Sequence, residues 1–156
     1  MPGLIARITS LGKFSISLLM LLALASCETA TAINVKGFPP EISFSGSGAM
    51  AQLVVTGPFS ADEMKAGHLN STDLRLLWQI NPGGVYDNTN MSRLPPIIYG
   101  IVPQGCRQVY PPSGSPKPLV EGSYYGISVP TRGAPDISVI FKIENGRAVK
   151  VPTSGS

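Results

Sequence analysis

Asp73-Leu74-Arg75-Leu76-Leu77-Trp78-Gln79-Ile80-Asn81 sets Leu74, Leu76, Trp78 and Ile80 at every second position, with Asp73, Arg75, Gln79 and Asn81 between them. Successive side chains of an extended chain point to opposite faces, so the stretch reads as a strand with one apolar and one polar face, broken only by Leu77. A helix would need its apolar residues three and four apart. A strand with one apolar face has to lay that face on a second layer, and because Gly- and Pro-rich turns separate this stretch from others like it, the chain reads as an all-β fold of antiparallel strands. Asn81-Pro82-Gly83-Gly84 stops it.

The same alternation recurs on both sides. Ile42 and Phe44 mark a short strand after Pro39-Pro40, and Leu53 and Val55 mark another over residues 52–56, ending at Gly57-Pro58. Tyr125, Ile127 and Val129 carry a strand over residues 123–129, and Ile137, Val139, Phe141 and Ile143 one over residues 136–144. Residues 97–102 are apolar on both faces, as a central strand would be, and Pro103 ends them. The proline-rich stretch 103–118 reads as a loop with a short edge strand at residues 106–110. Ser60 and Glu63 have capping-box spacing, Phe59 and Met64 stand at staple positions, and Gly67 can end the one or two helical turns between them. For the last hairpin, a two-residue Asn145-Gly146 loop would put Val149 opposite Lys142, whereas a three-residue loop Glu144-Asn145-Gly146 pairs Phe141 with Val149 and Val139 with Val151, keeping the apolar set on one face.

The amino-terminal end follows other rules. Arg7 and Lys13 precede an uncharged run of thirteen residues, Phe14 to Ser26, and small side chains lead up to Cys27. That is the build of a secretory signal over residues 1–26. Thirteen helical residues reach ~20 Å at ~1.5 Å each, against ~30 Å of bilayer hydrocarbon, so the run is too short to read as a permanent span. Removing it takes Arg7 and Lys13 from the charge balance and leaves ten basic against nine acidic residues. The basic residues are scattered, which speaks against nucleic acid as a partner. The remaining 15 Gly and 14 Pro are over a fifth of the 130 residues left, and because they fall between patterned segments they read as turns.

Leu24-Ala25-Ser26-Cys27 resembles the lipobox of bacterial lipoproteins. The resemblance implies that the signal is cut before Cys27, that Cys27 carries fatty acyl chains, and that the membrane is a partner through that lipid. Glu28, where aspartate would retain such a protein in the inner membrane, implies an outer-membrane address. Residues 27–38 then read as the lipidated cysteine and a tether, residues 39–151 as the β-sandwich, and residues 152–156 as a flexible end. With Cys27 lipidated, Cys106 has no disulfide partner in the chain and reads as a small buried side chain.

Leu119-Val120-Glu121-Gly122-Ser123-Tyr124-Tyr125-Gly126-Ile127-Ser128-Val129 resembles the tyrosine-corner segment of fibronectin type III domains. Residues 74–82 are similar to that family's tryptophan strand, and Ile98-Tyr99-Gly100-Ile101 to the strand after it; together the match spans residues 39–151. It implies a two-sheet sandwich with Trp78 packed at its centre and the Tyr125 hydroxyl bonded to nearby backbone. Glu121 stands where the family usually has proline, and residues 46–67 have no place in a simple seven-strand pattern. An immunoglobulin-like sandwich has much the same pattern.

Such a fold prescribes no chemistry. The chain has one histidine, His68, so a nucleophile with an adjacent base would have to be Cys106 with His68. Asp87, Asn88 and Asn90 lack the acidic density of a calcium loop and read as a turn, so no metal or cofactor is expected. Tyr86, Tyr99, Tyr110 and Tyr124 are candidates for an aromatic surface. The long loops 83–96 and 104–117, with Tyr86, Asn88 and Tyr110, are the candidate surface for a protein or carbohydrate partner. The expectation is therefore a non-catalytic, lipid-anchored envelope module for binding or structure. Two readings compete with it: an accessory that escorts another membrane protein during assembly or secretion, and a thiol enzyme or hydrolase using Cys106 and His68.

Overall fold

Trp78 and Ile80 are fully buried and Leu76 half-buried in a strand that runs Leu76–Asn81, so the alternation that opened the sequence reading becomes an inward face. The computed structural model describes residues 30–65 and 75–152. Residues 1–26 with Leu24, Ala25 and Ser26, the cysteine at 27, Gly67, His68, the pair Asp73 and Leu74, and residues 153–156 lie outside these. Among the described residues the strands are β1 Ala32–Lys36, β2 Glu41–Ser45, β3 Ala49–Met50, β4 Leu53–Phe59, β5 Leu76–Asn81 and β6 Ile97–Ile98. They continue with β7 Arg107–Tyr110, β8 Tyr124–Val129, β9 Thr131–Arg132, β10 Ile137–Glu144 and β11 Arg147–Lys150. The helix α1 spans Ala61–Lys65.

Every strand pair is antiparallel. A three-stranded sheet in the order β1-β2-β6 faces a six-stranded sheet in the order β11-β10-β8-β4-β5-β7, and β3 pairs with β9 in a small separate ladder. The protein is an all-β antiparallel sandwich. Ile33, Val35 and Ile42 from the first sheet and Leu53, Trp78 and Phe141 from the second belong to one apolar core. Trp78 meets Tyr99 edge-on at 5.5 Å, joining β5 to the turn after β6, and Tyr125 stacks at 5.5 Å on Phe141, its partner across the β8–β10 pair.

Four local expectations are corrected. The stretch read as a tether, residues 27–38, contains β1: Ile33 and Val35 are buried, and Ala32 to Lys36 pair with Ser45 to Glu41. Each such burial contributes roughly 1.5–3 kcal/mol, enough to recruit a short strand whose two apolar residues make little pattern alone. Residues 97–102 form no central strand. Only Ile97 and Ile98 pair, at the edge of the small sheet, before a turn in which Ile101 N–H donates to Ile98 O at 3.0 Å. Ile101 is consequently 58% exposed.

The second strand does not stop at Gly57-Pro58 but runs on to Phe59, with its register against β8 shifting between Thr56 and Phe59. The last hairpin has a two-residue Asn145-Gly146 loop, with Glu144 opposite Arg147 and Lys142 opposite Val149. Both loop residues have positive φ, 52° and 66°, as a type I′ turn requires. Val149 stays exposed while Ala148, opposite Ile143, takes the inward place. The Glu121 carboxylate accepts from Asn145 N–H at 2.6 Å and Gly146 N–H at 3.2 Å, which fixes this tighter register.

Leu77, the one interruption in the polar face of β5, is also buried. Val55 opposes Trp78 and Thr56 opposes Leu76, so Leu77 is the extra residue of a β-bulge, and a bulge re-aims its side chain.

Candidate functional site

The two long loops are joined through their backbones before any side chain is considered. A Cβ at Gly83 would lie 2.0 Å from Gly105 O, so glycine is the residue that permits this approach. Tyr86 N–H donates to Gly83 O at 3.1 Å, winding Gly84–Tyr86 into a single 3-10 turn, and Cys106 N–H donates to Pro103 O at 3.0 Å on the facing loop. Beside this junction lies a groove of about 670 Å³ whose other wall is β6 and the turn after it. Val85 (59% exposed), Ile98 and Ile101 line it together with Pro95, Pro96 and Pro103. The polar side chains on it are Gln104 and Tyr86, and the Tyr86 hydroxyl is turned to Pro95 O at 3.4 Å. Such a lining can hold an apolar side chain or a stretch of partner chain, and supplies no acid–base pair.

Of the residues singled out in the sequence, Tyr86 is buried, with its pKa raised by burial and by nearby Cys106, while Asn88 and Tyr110 are exposed. Asn88 adopts a left-handed backbone (φ 56°) in the turn, its neighbour Asp87 pairs with Arg132 at 2.8 Å, and Asn90 caps the turn Met91–Arg93 by accepting from Ser92 N–H at 3.0 Å. The Asn90 oxygen thus serves the loop's own turn, and the Asp87 carboxylate ties the loop to β9. Among the described residues no group of acidic, histidine or cysteine side chains is placed to hold a metal ion.

The aromatic surface is not assembled. Tyr86 and Tyr99 are buried, Tyr124 lies half-buried under Lys142, and Tyr110 alone stands exposed on an edge strand. The Tyr99 hydroxyl donates to Lys117 O at 2.8 Å, and burial carries its pKa well above the tyrosine range. Cys106 is half-buried with its sulfur 4.0 Å from Gly83 O, and burial raises its pKa, which keeps the thiol protonated at neutral pH.

Trp78 and Tyr125 sit in the core. The Tyr125 hydroxyl accepts from Val120 N–H at 2.7 Å, and Trp78 Nε1 donates to Gln108 Oε1 at 3.0 Å. Sequence reasoning missed Gln108. Its Nε2 also donates to Pro111 O and Gly114 O, both at 2.8 Å, so one amide ties the buried indole to the proline-rich loop. A lone glutamine on an edge strand has no sequence signal for that role.

No protein-family model matches the chain, and comparison with curated proteins and with solved structures gave no significant match. Among the described residues no helix is long and apolar enough to cross a membrane.

Proposed function

We propose that the protein is a lipid-anchored cell-envelope module that binds or organises a partner without catalysing a reaction. The observation that carries this reading is the make-up of the groove: exposed Val85, Ile98 and Ile101 among prolines, with no carboxylate, imidazole or amine in its lining. Exposed apolar surface in a built groove marks a place where another surface sits. The address rests on Leu24-Ala25-Ser26-Cys27, with Cys27 as the acylated residue and the outer membrane as its destination.

The strand order favours a fibronectin type III-like or immunoglobulin-like domain. Taking β1, β2 and β6 as A, B and E and β4, β8 and β10 as C, F and G divides the two sheets as that class does. Tyr125 near the start of β8, bonded to upstream backbone, supports the same reading. Trp78 departs from it by lying on β5, one strand outside the C position.

Metabolic labelling with a fatty acid tests the anchor: wild type takes up label and Cys27→Ala does not, and label retained by the variant refutes the lipobox. For the groove, a photo-crosslinking residue at position 101 should capture a discrete envelope partner, and the capture should be lost in Ile98→Glu. Crosslinking unaffected by Ile98→Glu would remove the groove from the reading.

A further inference from the structure

The strand that replaces the expected tether has a geometric consequence. Thr31 is already fastened to the domain: its hydroxyl donates to Ser47 O at 2.9 Å, and a Cβ at Gly46 would fall 2.4 Å from its Cα. Gly46 O accepts from Ser92 N–H at 3.3 Å, Gly48 O accepts from Met91 N–H at 2.9 Å, and Ala49 pairs with Arg132. These segments form one end of the sandwich. At the other end Ala148 N–H donates to Gly37 O at 3.0 Å, Tyr99 N–H donates to Pro40 O at 2.9 Å, and the Asn145-Gly146 turn rests on Glu121.

We propose that the anchored domain stands with its Thr31/Gly46/Ser92 end on the lipid headgroups and its Gly37/Asn145 end outward. This rests on the acylation of Cys27 proposed above. Four residue steps separate Cys27 from Thr31, and at most ~3.3–3.6 Å each they reach no more than ~14 Å. A leaflet's headgroup layer is itself ~5–8 Å deep, the difference between a ~40–45 Å bilayer and its ~30 Å hydrocarbon core shared over two sides. About 6–9 Å remain, comparable to the ~8 Å screening length at physiological ionic strength. A free tether to residue 38 would reach roughly 36–40 Å and leave the domain free to turn.

The end facing the lipid is polar. It presents Ser45, Ser92 and Arg93, and Arg93 is exposed and in no ion pair among the described residues, so it meets lipid phosphates directly. Phe38, 54% exposed, belongs to the opposite end and stays clear of the membrane.

The test uses the full acylated protein in vesicles containing spin-labelled headgroups, in a Cys106→Ser background, with a small fluorophore on Ser45→Cys or on Arg147→Cys. Both positions are exposed. They differ in height by about the length of β1, ~16 Å at ~3.3 Å per residue, so quenching at Ser45 should exceed that at Arg147 by about threefold or more. A Gly/Ser insertion of about ten residues after Glu28 adds a root-mean-square reach of ~17 Å and should level the two. Buried-tryptophan emission verifies the fold of each variant, with Cys106→Ala as a second background. Equal quenching, or more at Arg147, on acylated protein without the insertion overturns the orientation alone. Absence of acyl chains on the same sample overturns the anchor and the orientation together.

Discussion

Replacing Gln108 with methionine keeps the length of the side chain and removes its three hydrogen bonds, to Trp78 Nε1, Pro111 O and Gly114 O. The indole belongs to a fully buried ring, so its N–H loses its partner away from water, and that costs about 1–3 kcal/mol. The Pro111 carbonyl is partly buried and adds about 0.5–1.5 kcal/mol, whereas the Gly114 carbonyl is exposed and water takes over its bond. The expected loss is therefore about 2–4 kcal/mol. Trp78 is the chain's single tryptophan, so its own emission follows unfolding in urea without any added probe. With a slope of ~1.5 kcal/mol per molar, the midpoint of Gln108→Met should fall by roughly 1–3 M while the slope stays unchanged. A fall below about 0.3 M would refute the reasoning, because it would mean that the indole and the proline-rich loop do not depend on this amide.

Glu121→Ala removes the acceptor of both amides in the Asn145-Gly146 turn, and a drop of about 1 kcal/mol is expected in the same urea assay, discounted for exposure. Glu121→Gln should retain part of it, and a neutral Glu121→Ala would show that the turn holds without the carboxylate. Gly57 has φ 131°, and a Cβ there would lie 2.7 Å from the Tyr125 ring and 2.9 Å from Tyr124 O. Gly57→Ala should cost about 3–5 kcal/mol from backbone strain and overpacking together, read as lost soluble yield or a collapsed midpoint; a wild-type midpoint would contradict the clash. The Glu63 carboxyl is held at about 2, below its usual 4.5, first by the Arg75 guanidinium and then by the Ser60 amide and hydroxyl. A depressed carboxylate contributes above its unfolded pKa and loses that contribution as pH falls toward the folded one, so the Ser60–Glu63 cap should open between about pH 4.5 and 2. The Ser60 amide proton shift follows this directly, and a midpoint near 4.5 would show that Arg75 does not hold the carboxyl.

The strands that alternate over several residues were legible because burial on one face leaves a two-residue period: β8 and β10 lie where their patterns put them, and β5 does so from Leu76 onward. The capping box was legible for the same local reason, since Ser60 N–H donates to Glu63 Oε2 at 2.7 Å and Glu63 N–H to Ser60 Oγ at 3.2 Å. What failed depended on partners distant in the chain. Ile33 and Val35 make a strand only because β2 lies alongside, and residues 97–102 fail to make one because Tyr99 is pulled inward against Trp78. The three-residue hairpin loop follows from pairing Phe141 with Val149, whereas in the fold Ala148 takes the inward place opposite Ile143 and a carboxylate twenty-odd residues upstream holds the two-residue loop. One wall of the groove, loops 83–96 and 104–117, was legible from their length, but the other was not, because exposed Ile98 and Ile101 look like core residues until the turn between them is known.

Gly83 and Gly105 touch so closely that neither loop can drift in sequence on its own. A β-carbon at Gly83 meets Gly105 O at 2.0 Å, so a side chain or an inserted residue on one loop demands a matching change on the other. Loops 83–96 and 104–117 therefore form a single cassette. Lineages of this protein should gain and lose residues in them together, and a new recognition surface grafted onto this scaffold has to carry both.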